Sequence, residues 1–335
     1  MAGYILRRLI LAASAVAAVS FAAFLTFGIS LDPTYPLREG PDPLHQRQFI
    51  LRYYHLSDPI LSRYWRWVRG LFEHGFGTTV SLQTTGTPLR LASPGQPIGP
   101  AIWHGAGLTA QLVAFALVLT VLGSILVGTY SARRPYARVD VSRAATYLAA
   151  SMPTFLIAYL MRKAFIGQLG YHVAANVVQV EQHGVFLVGP PTGGFVDWFR
   201  HMTLPAVALS LGLIGVYARY VRTAMLAALG EQYTTVARAK GLPERRVVFR
   251  HALRNSLVPF TSLLSLEMGA VIGASLPADA VFHVGGLAQT FLGGLALADP
   301  FELTALVVVT AAVVACFLFA ADLLVGALDP RLRLR

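Results

Sequence analysis

The sequence predicts an all-α membrane protein with six transmembrane helices, and its composition and apolar runs both indicate this class. Of its 335 residues, 55% are hydrophobic and only 13% are charged, and the mean hydropathy is +0.59. A soluble globule of this size needs far more polar surface than these residues supply. The apolar residues are also gathered into long runs, as a bilayer-spanning helix requires.

The first predicted span is residues 9–29, a run of uncharged positions. At about 1.5 Å per residue, it is long enough to cross a hydrocarbon core of roughly 30 Å. Arg7 and Arg8 precede it and no small-residue cleavage site follows it, so we interpret it as an uncleaved anchor. Five later runs are also long enough to span the bilayer: residues 103–130, 141–165, 203–228, 257–282 and 301–327.

Residues 31–100, between the first two runs, hold nine of the nineteen prolines and cannot form one regular element. Within them, residues 57–72 predict a helix with Asp58 as its N-cap and Pro59 at its first position. An apolar face and an arginine face are expected. The apolar face would comprise Ile60, Leu61, Tyr64, Trp65, Val68, Leu71 and Phe72, and the other face Arg63, Arg66 and Arg69. Two roles stay open for this amphipathic helix: packing within the protein, or a platform for an external partner.

The basic residues predict the orientation of the spans. If the N-terminus is cytoplasmic, the start, residues 131–143, residues 219–255 and the tail hold 17 of the 27 Lys and Arg residues. Cytoplasmic loops of membrane proteins carry such an excess, so both termini are predicted to lie inside. The net charge of +11 therefore needs no nucleic-acid partner. All four tryptophans would lie near the outer boundary, where amphipathic rings are favoured: Trp65, Trp67, Trp103 and Trp198.

This order of spans gives a domain organisation. Residues 1–30 form an N-terminal transmembrane helix, residues 31–100 an external segment, and residues 101–330 a core of five transmembrane helices. Residues 331–335 form a cytoplasmic tail. The core includes a cytoplasmic loop at residues 229–256.

Several kinds of enzyme are excluded by missing motifs. The only lysines, Lys163 and Lys240, follow Arg and Ala, so neither can end a G-x-x-x-x-G-K-[ST] phosphate loop. No H-E-x-x-H zinc pair is present, and the single Cys316 permits no disulfide within the chain. We therefore expect a protein that is not an enzyme and binds no cofactor or metal. An ion-gradient-driven secondary transporter stays open as an alternative, although the two halves of the chain show no repeat.

The loop carries an unusual concentration of charge in so apolar a chain. Six basic residues lie between two hydrophobic runs: Arg238, Lys240, Arg245, Arg246, Arg250 and Arg254. Tyr233, Val236, Ala237 and Lys240 follow the spacing of one helix face, and Gly241 can end that helix in a left-handed conformation.

A second helix is predicted to follow the turn, opened by Pro243 with Glu244 in its first turn. Val247, Val248 and Leu253 would form its apolar side. The loop is thus a helix–turn–helix insert near the membrane surface. The small side chains of Ala237 and Ala239 would let another protein approach the backbone of the first helix closely.

The order Y-x-x-x-A-R-A-K-G-L, a second helix and then R-N-x-x-x-P resembles the cytoplasmic "EAA" loop of ABC-importer permeases, in the dipeptide and oligopeptide branch. The acidic residue that names the motif is replaced by Ala237, as is usual in that branch. The matching positions are Tyr233, Ala237, Arg238, Ala239, Lys240, Gly241, Leu242, Arg254, Asn255 and Pro259. Further stretches resemble the same family: YILRRLI at the start, residues 55–80, SMPTFLIAYL, DAVFHVGGLAQ and the ending ALDPRLRLR.

The resemblance implies a bacterial inner-membrane permease subunit that moves di- or oligopeptides with energy from ATP. Its partners would be a second homologous permease, an external substrate-binding protein and two cytoplasmic ABC ATPase subunits, which bind the ATP and Mg. Metal chelates, glutathione and some glycosides are other cargoes of the branch. The residues implied in ATPase docking are Tyr233, Val236, Ala237, Arg238, Ala239, Lys240, Gly241 and Leu242.

Two acidic residues are candidates for the translocation path. Glu267 lies about eleven residues into the fifth run, and an isolated carboxylate in hydrocarbon costs several kcal/mol. It is expected either to hydrogen-bond a neighbouring span or to line a water-filled cavity, with Asp279 near the outer mouth. The two lie about 18 Å apart along a helix, so they could line one broad cavity but not bind one small ion together.

Overall fold

A computed structural model describes most of the chain: residues 2–32, 47–48, 51–52, 55–74, 76, 97–133, 141–166, 171–174, 177–180, 186–266, 268–296 and 298–328. In the first half the helices are α1 (Ala2–Ser30), α2 (Ile60–His74), α3 (Ile98–Ala132), α4 (Val141–Ser151) and α5 (Thr154–Phe165). The second half contains α6 (Phe195–Gly230), α7 (Gln232–Ala239), the short α8 (Glu244–Arg246), a π-helical turn (Val247–Ala252), α9 (Leu253–Leu266), α10 (Met268–Phe282), α11 (Leu287–Ala296) and α12 (Pro300–Leu328).

The predicted helical membrane class is confirmed. Among the described residues, four helices are long and apolar enough to cross a bilayer by themselves: Leu6–Ser30, Ile98–Ala132, Phe195–Gly230 and Pro300–Phe319. They correspond to four of the six predicted spans. The number reaches six only if each of two bent helix pairs forms one span.

The breaks within the two bent helix pairs are not evident from the apolar runs of the sequence. Residues 141–165 were predicted as one span, but α4 and α5 meet at 104°. Pro153 explains the break, because it has extended backbone (φ −60°, ψ 140°) and a proline has no N–H to continue a helix. The second pair, α10 and α11, is interrupted at residues that include His283 (φ 53°) and Gly285 (φ 84°).

One element departs from the all-α prediction. Strands β1 (Tyr171–Ala174) and β2 (Val177–Val180) pair antiparallel, with Tyr171 opposite Val180 and Ala174 opposite Val177. Valine is a favoured strand residue, so the VVQV sequence of β2 is the local signal for this strand.

The chain divides into two compact units. The first comprises Met1–Ala110, Gln168–Gln182 and His283–Cys316. In it, Phe24 of α1 is buried against the rings of Tyr64 and Trp67 of α2, at centroid distances of 5.5 and 5.9 Å. The hydroxyls of Ser20 and Tyr64 are hydrogen-bonded at 2.8 Å. These contacts fix α2 along the second half of α1.

The apolar face of α2 differs from the predicted one. Trp67 is buried, whereas Leu61 and Trp65 are exposed, because the Phe24 ring packs over the side of the helix that carries Tyr64 and Trp67. The start also differs, since α2 begins at Ile60 and Asp58 does not cap it. The Asp58 carboxylate instead accepts a hydrogen bond from Arg66 Nη2 at 2.8 Å, which lowers the pKa of Asp58.

The second unit comprises Gln111–Gly167, His183–Phe282 and Phe317–Arg335. Its central element is the 36-residue α6, which contacts α4, α5, α9 and α10. The crossing of α4 over α6 is close, since a Cβ built on Gly215 would lie 2.6 Å from the backbone N of Ala150 and 2.7 Å from the carbonyl O of Thr146. Only glycine fits between the two backbones at that point.

The end of α6 that leads into the loop is held by a buried apolar cluster. It comprises Ala132, Tyr217, Val221, Met225, Ala228, Val248, Ala252 and Phe260. Val248 and Ala252 belong to the π-helical turn, and Phe260 belongs to α9. The second half of the predicted loop and the helix α9 therefore pack directly on α6, the helix that precedes the loop.

Candidate functional site

The candidate site is the helix–turn–helix segment of residues 231–256, within the predicted loop at residues 229–256, and we call this segment the coupling loop. Its first helix, α7, is turned away from α6 at Glu231, whose backbone is extended (φ −73°, ψ 151°). The hydroxyl of Thr234 donates to the carbonyl oxygens of Leu229 and Glu231 at 2.9 and 2.8 Å. Thr234 is fully buried. The bond to Leu229 pairs a carbonyl group at the end of α6, whereas the carbonyl oxygen of Glu231 also accepts the N–H groups of Thr234 and Thr235 as the N-cap of α7.

The turn after α7 is a Schellman motif. Gly241 has φ 76°, in the left-handed region that the sequence predicts for it. Its N–H donates to Arg238 O at 2.9 Å, and the N–H of Leu242 donates to Ala237 O at 3.3 Å. This pair of bonds, 5→2 and 6→1, defines the motif and ends the helix sharply.

An ion pair joins the two sides of this turn. Arg238 Nη2 donates to Glu244 Oε1 at 2.9 Å, and Arg238 Nε donates to Glu244 Oε2 at 3.1 Å. The hydrogen bonds lower the pKa of Glu244 and raise that of Arg238, and the charge of Arg133 adds to the effect on Glu244. Such two-point geometry fixes direction as well as distance, so α7 is braced against the start of α8.

The sequence indicated Glu244 only as a residue that favours the start of a helix. Its partner Arg238, six positions earlier, was assigned to docking instead. The pairing depends on the reversal at Gly241, which brings the two residues together. One sequence signal could have predicted the ion pair. It is a basic residue just before the end of one helix, followed by an acidic residue just after the start of the next.

The second helix begins after Pro243, whose carbonyl oxygen accepts bonds from the N–H groups of Arg246 and Val247. Pro243 is thus the N-cap rather than a helical residue. Val247 and Val248 are fully buried, as the predicted apolar side requires. Residues Val247–Ala252 form a π-helical turn that the sequence did not indicate. Such turns are uncommon and occur often at functional sites.

The residues predicted to share one docking face of α7 are divided by the structure. Ala237 is only 5% exposed and faces its own chain, so its small side chain serves close packing inside the protein. Val236, Arg238, Ala239 and Lys240 are exposed, while Tyr233 and Leu242 are partly buried. The expectation that Ala237 offers an open approach to a partner is therefore corrected, and Ala239 is the small residue of α7 that is exposed. The helical spacing was right, but the buried side is centred on Thr234 and Ala237.

The outer surface of the coupling loop is basic with two apolar side chains. Five cations are exposed in addition to Arg238: Lys240, Arg245, Arg246, Arg250 and Arg254. Val236 is 50% exposed and Phe249 46% exposed. Phe249 was not among the residues predicted for this loop, although it directly follows the two buried valines.

The two candidate residues of the translocation path are placed differently. Glu267 lies outside the described residues. Asp279 lies on α10 and is fully buried, so it does not line an open cavity in this conformation. Its assignment to the path stays a prediction. In the part of the chain that the structure describes, no group of three or more His, Cys, Asp or Glu side chains could hold a metal ion.

The chain matches known proteins over its whole length. A family model described as "Binding-protein-dependent transport system inner membrane component" matches residues 124–334. The oligopeptide transport system permease protein OppB of Mycobacterium tuberculosis is 28% identical over 342 residues, covering 99% of both chains. AppB of Bacillus subtilis, also an oligopeptide transport system permease protein, is 27% identical over 338 residues. The dipeptide transport system permease protein DppB of Lactococcus lactis is 29% identical over 336 residues, covering 100% of both chains.

Proposed function

The chain belongs to the family of binding-protein-dependent transport system inner membrane components, and from this premise we propose that it is the permease subunit through which an ABC importer moves di- or oligopeptides into the cytoplasm. Peptide cargo is supported by relatives that are named dipeptide and oligopeptide permeases and match nearly the whole chain. The family is that of the permease component, which disfavours the alternative of an ion-gradient-driven transporter.

Three kinds of partner follow from this proposal. An external binding protein delivers the cargo, a second homologous permease completes the pathway, and two cytoplasmic ABC ATPases bind ATP and Mg. The absence of a phosphate-binding loop from this sequence fits a division in which hydrolysis takes place on other chains.

The geometry of the coupling loop is the observation that carries the mechanism. Val236, Ala239 and Lys240 present an exposed face of α7, and the Arg238–Glu244 pair and the Gly241 turn hold that face in a fixed direction. On the other side, Val248 and Ala252 pack against α6. A displacement of α7 would therefore be transmitted to a membrane-spanning helix through a closely packed segment.

We infer a rigid-body coupling from this arrangement. ATP binding closes the ATPase pair, and the motion is carried by α7 and the π-helical turn to α6 and α9. The exposed cations would meet acidic rims of the ATPase or lipid headgroups. Val236 and Phe249 would supply the apolar contacts of the same interface.

Site-directed cross-linking tests the docking with a matched pair of residues. In a Cys316→Ala background, Ala239→Cys places a thiol on the exposed face, whereas Ala237→Cys places one on the buried face. We expect a short bifunctional reagent to link the ATPase to the first variant and not to the second. If the intact complex shows equal linkage at both positions, or none at either, the assigned face is wrong.

The proposed orientation places both termini and the coupling loop in the cytoplasm and residues 31–100 outside. It rests on the distribution of Lys and Arg residues. With Cys316 replaced, a cysteine at the exposed Arg69 should react with an impermeant thiol reagent in intact cells, and one at the exposed Glu244 only after lysis. Equal labelling of both positions in intact cells contradicts the orientation.

The translocation path is proposed to include Glu267, with Asp279 towards its outer mouth. A carboxylate there would favour a cationic group such as a peptide amino terminus. Glu267→Gln keeps the shape and removes the charge, so uptake of peptides with a free amine should fall more than uptake of N-acetylated peptides. An equal fall for both, together with loss of the assembled complex, shows a structural role instead.

A further inference from the structure

A small polar cavity opens beside the last third of α6, before the chain enters the coupling loop. It has a volume of about 80 Å³ and lies among α3, α4 and α6. A single ordered water needs only about 10–15 Å³ of such space, so the cavity has room for a larger polar group. Its polar lining comprises Ser131, Thr146, Tyr147, Arg219, Arg222 and Thr223.

Two arginines give this cavity its charge. Arg219 and Arg222 lie three positions apart on α6 and so share one face of the helix. The Nε atoms of both side chains are buried and, among the described residues, have no hydrogen-bond partner. A guanidinium group offers five N–H donors and is always charged. The cavity therefore presents unsatisfied cationic donors, which an anion would complete.

The residues around the cavity indicate which kind of anion would bind there. Tyr147 lines the cavity, and Leu126, Tyr130 and Leu148 each lie next in sequence to a lining residue; all four side chains are at least half exposed. Exposed apolar side chains on membrane helices are suited to contact with lipid chains. The ring of Tyr147 also lies 5.3 Å from the guanidinium carbon of Arg219, so a wall of the cavity joins the apolar surface to the charge.

The position along α6 places both arginines at the level of lipid headgroups. Residues 202–218 are free of charged side chains and span about 25 Å of helix, close to the thickness of the hydrocarbon core. Arg219 directly follows this stretch, and Arg222 lies about 4.5 Å further along the axis. The headgroup layer is roughly 5–8 Å thick, so both guanidinium groups fall within it.

We propose that Arg219 and Arg222 form a binding site for the phosphate of an anionic phospholipid, with its acyl chains on the apolar surface formed by α3 and α4. Basic pockets between membrane helices are a known mode of lipid headgroup recognition. The lipid would hold α3, α4 and α6 together just before the coupling loop. This site is separate from cargo and ATPase binding, so its failure would leave the proposed function untouched.

Photo-cross-linking to the assembled importer in bilayer nanodiscs tests the site. The probe is phosphatidylglycerol with a photoreactive group in its headgroup, and the labelled peptides are mapped by mass spectrometry. In the unaltered protein, we expect labelling to concentrate at residues 126–131, 144–148 and 218–224. Labelling spread evenly along the apolar helices overturns the proposal without any variant, so the test does not depend on how well variants fold.

Variants then test whether Arg219 and Arg222 supply the positive charge that binds the lipid. Each basic residue near a membrane surface changes anionic-lipid binding by about fivefold, so Arg222→Gln should lower the labelling about fivefold and the double glutamine variant about 25-fold. Arg69→Gln, which removes an exposed cation from α2, is the control and should leave the labelling unchanged. The double variant Arg219→Lys with Arg222→Lys should keep part of the labelling. Unchanged labelling in the double glutamine variant overturns the proposal.

Competition experiments distinguish the phosphate of a phospholipid from free inorganic phosphate as the bound anion. Excess inorganic phosphate should not displace the photoreactive lipid, because a free ion lacks the apolar contacts. Displacement by inorganic phosphate would show a site for free anions and overturn the lipid assignment. Loss of the ATPase from the purified double glutamine variant, with labelling unchanged, would assign these arginines to the protein partner instead.

Discussion

Arg238 and Glu244 form a two-point ion pair across the left-handed turn at Gly241, with N–O distances of 2.9 and 3.1 Å. Both side chains are substantially exposed, at 41% and 52%. Exposed pairs contribute little to global stability, typically less than about 1 kcal/mol. We infer that the pair instead fixes the direction of α7 relative to the helix that follows it, because two-point contacts constrain direction as well as distance.

The first prediction separates this positioning role from stability. Glu244→Gln should lower peptide uptake severalfold while changing the free energy of unfolding by less than about 1 kcal/mol. The charge swap Arg238→Glu with Glu244→Arg recreates the pair in reverse and should restore part of the uptake. If the swap is no better than Glu244→Gln alone, Arg238 acts through a contact other than Glu244.

The second prediction concerns pH. Arg238 lowers the pKa of Glu244 below its ordinary value of 4.5, so the pair stabilises the turn at pH values above that value and the stabilisation is lost as the pH falls through the lowered pKa. Hydrogen-exchange protection factors of the Gly241 and Leu242 amides should thus be constant from neutral pH down to about 5 and decrease only in more acidic solution. The same amides in Glu244→Gln should show no such step. A step near neutral pH contradicts the assignment to this carboxylate.

The third prediction concerns the turn itself. A Cβ at Gly241 would meet no atom within 4 Å, so the cost of replacing this glycine is conformational rather than steric crowding by neighbours. Gly241→Val should cost about 1–2 kcal/mol at φ 76° and reduce uptake, because α7 loses its sharp end. Gly241→Asn should be tolerated better, since asparagine adopts left-handed backbone more readily.

Gly230 supplies the control for the turn. It also has open space around its Cβ, but it lies in α6 without a left-handed φ. Gly230→Ala should therefore leave uptake unchanged. Equal uptake by Gly241→Val and Gly230→Ala, at equal expression, would show that the left-handed turn is not needed for coupling.

The fourth prediction tests the close crossing of α4 and α6. Gly215→Ala forces a methyl group against the backbone of Ala150 and Thr146, and it should destabilise the protein by about 1–3 kcal/mol. Gly212→Ala, on the same helix, would meet only Ile157 Cδ1 at 3.7 Å, an ordinary contact. The melting temperature of the purified complex should fall for the first variant and not for the second. Equal melting temperatures would show that the two helices cross less closely.

Local sequence patterns predicted much of this architecture, and the reason is physical. Long uncharged runs must become helices in a bilayer, and Gly241 is free to adopt the left-handed conformation that ends α7. Pro153 is visible in the sequence, but the apolar residues on both sides of it led to the prediction of one continuous span. Whether a proline bends or interrupts a helix depends on what packs around it.

The failures concern contacts between distant residues. Helical spacing put Ala237 on a surface face and Trp65 rather than Trp67 on the apolar side of α2. In each case the buried side is decided by another element, the π-helical turn near α7 and Phe24 near α2. The Arg238–Glu244 pair and the cavity at Arg219 likewise exist only after the chain has folded back on itself.

Reconstituted transport tests the central claim, that the energy for import comes from ATP hydrolysed on a partner and enters this chain through the coupling loop. The complex is placed in proteoliposomes with ATP inside and binding protein with labelled peptide outside. We expect uptake that requires ATP and the binding protein, does not depend on an ion gradient, and falls with Gly241→Val while Gly230→Ala is unaffected. Uptake driven by an ion gradient through this chain without ATP would contradict the account.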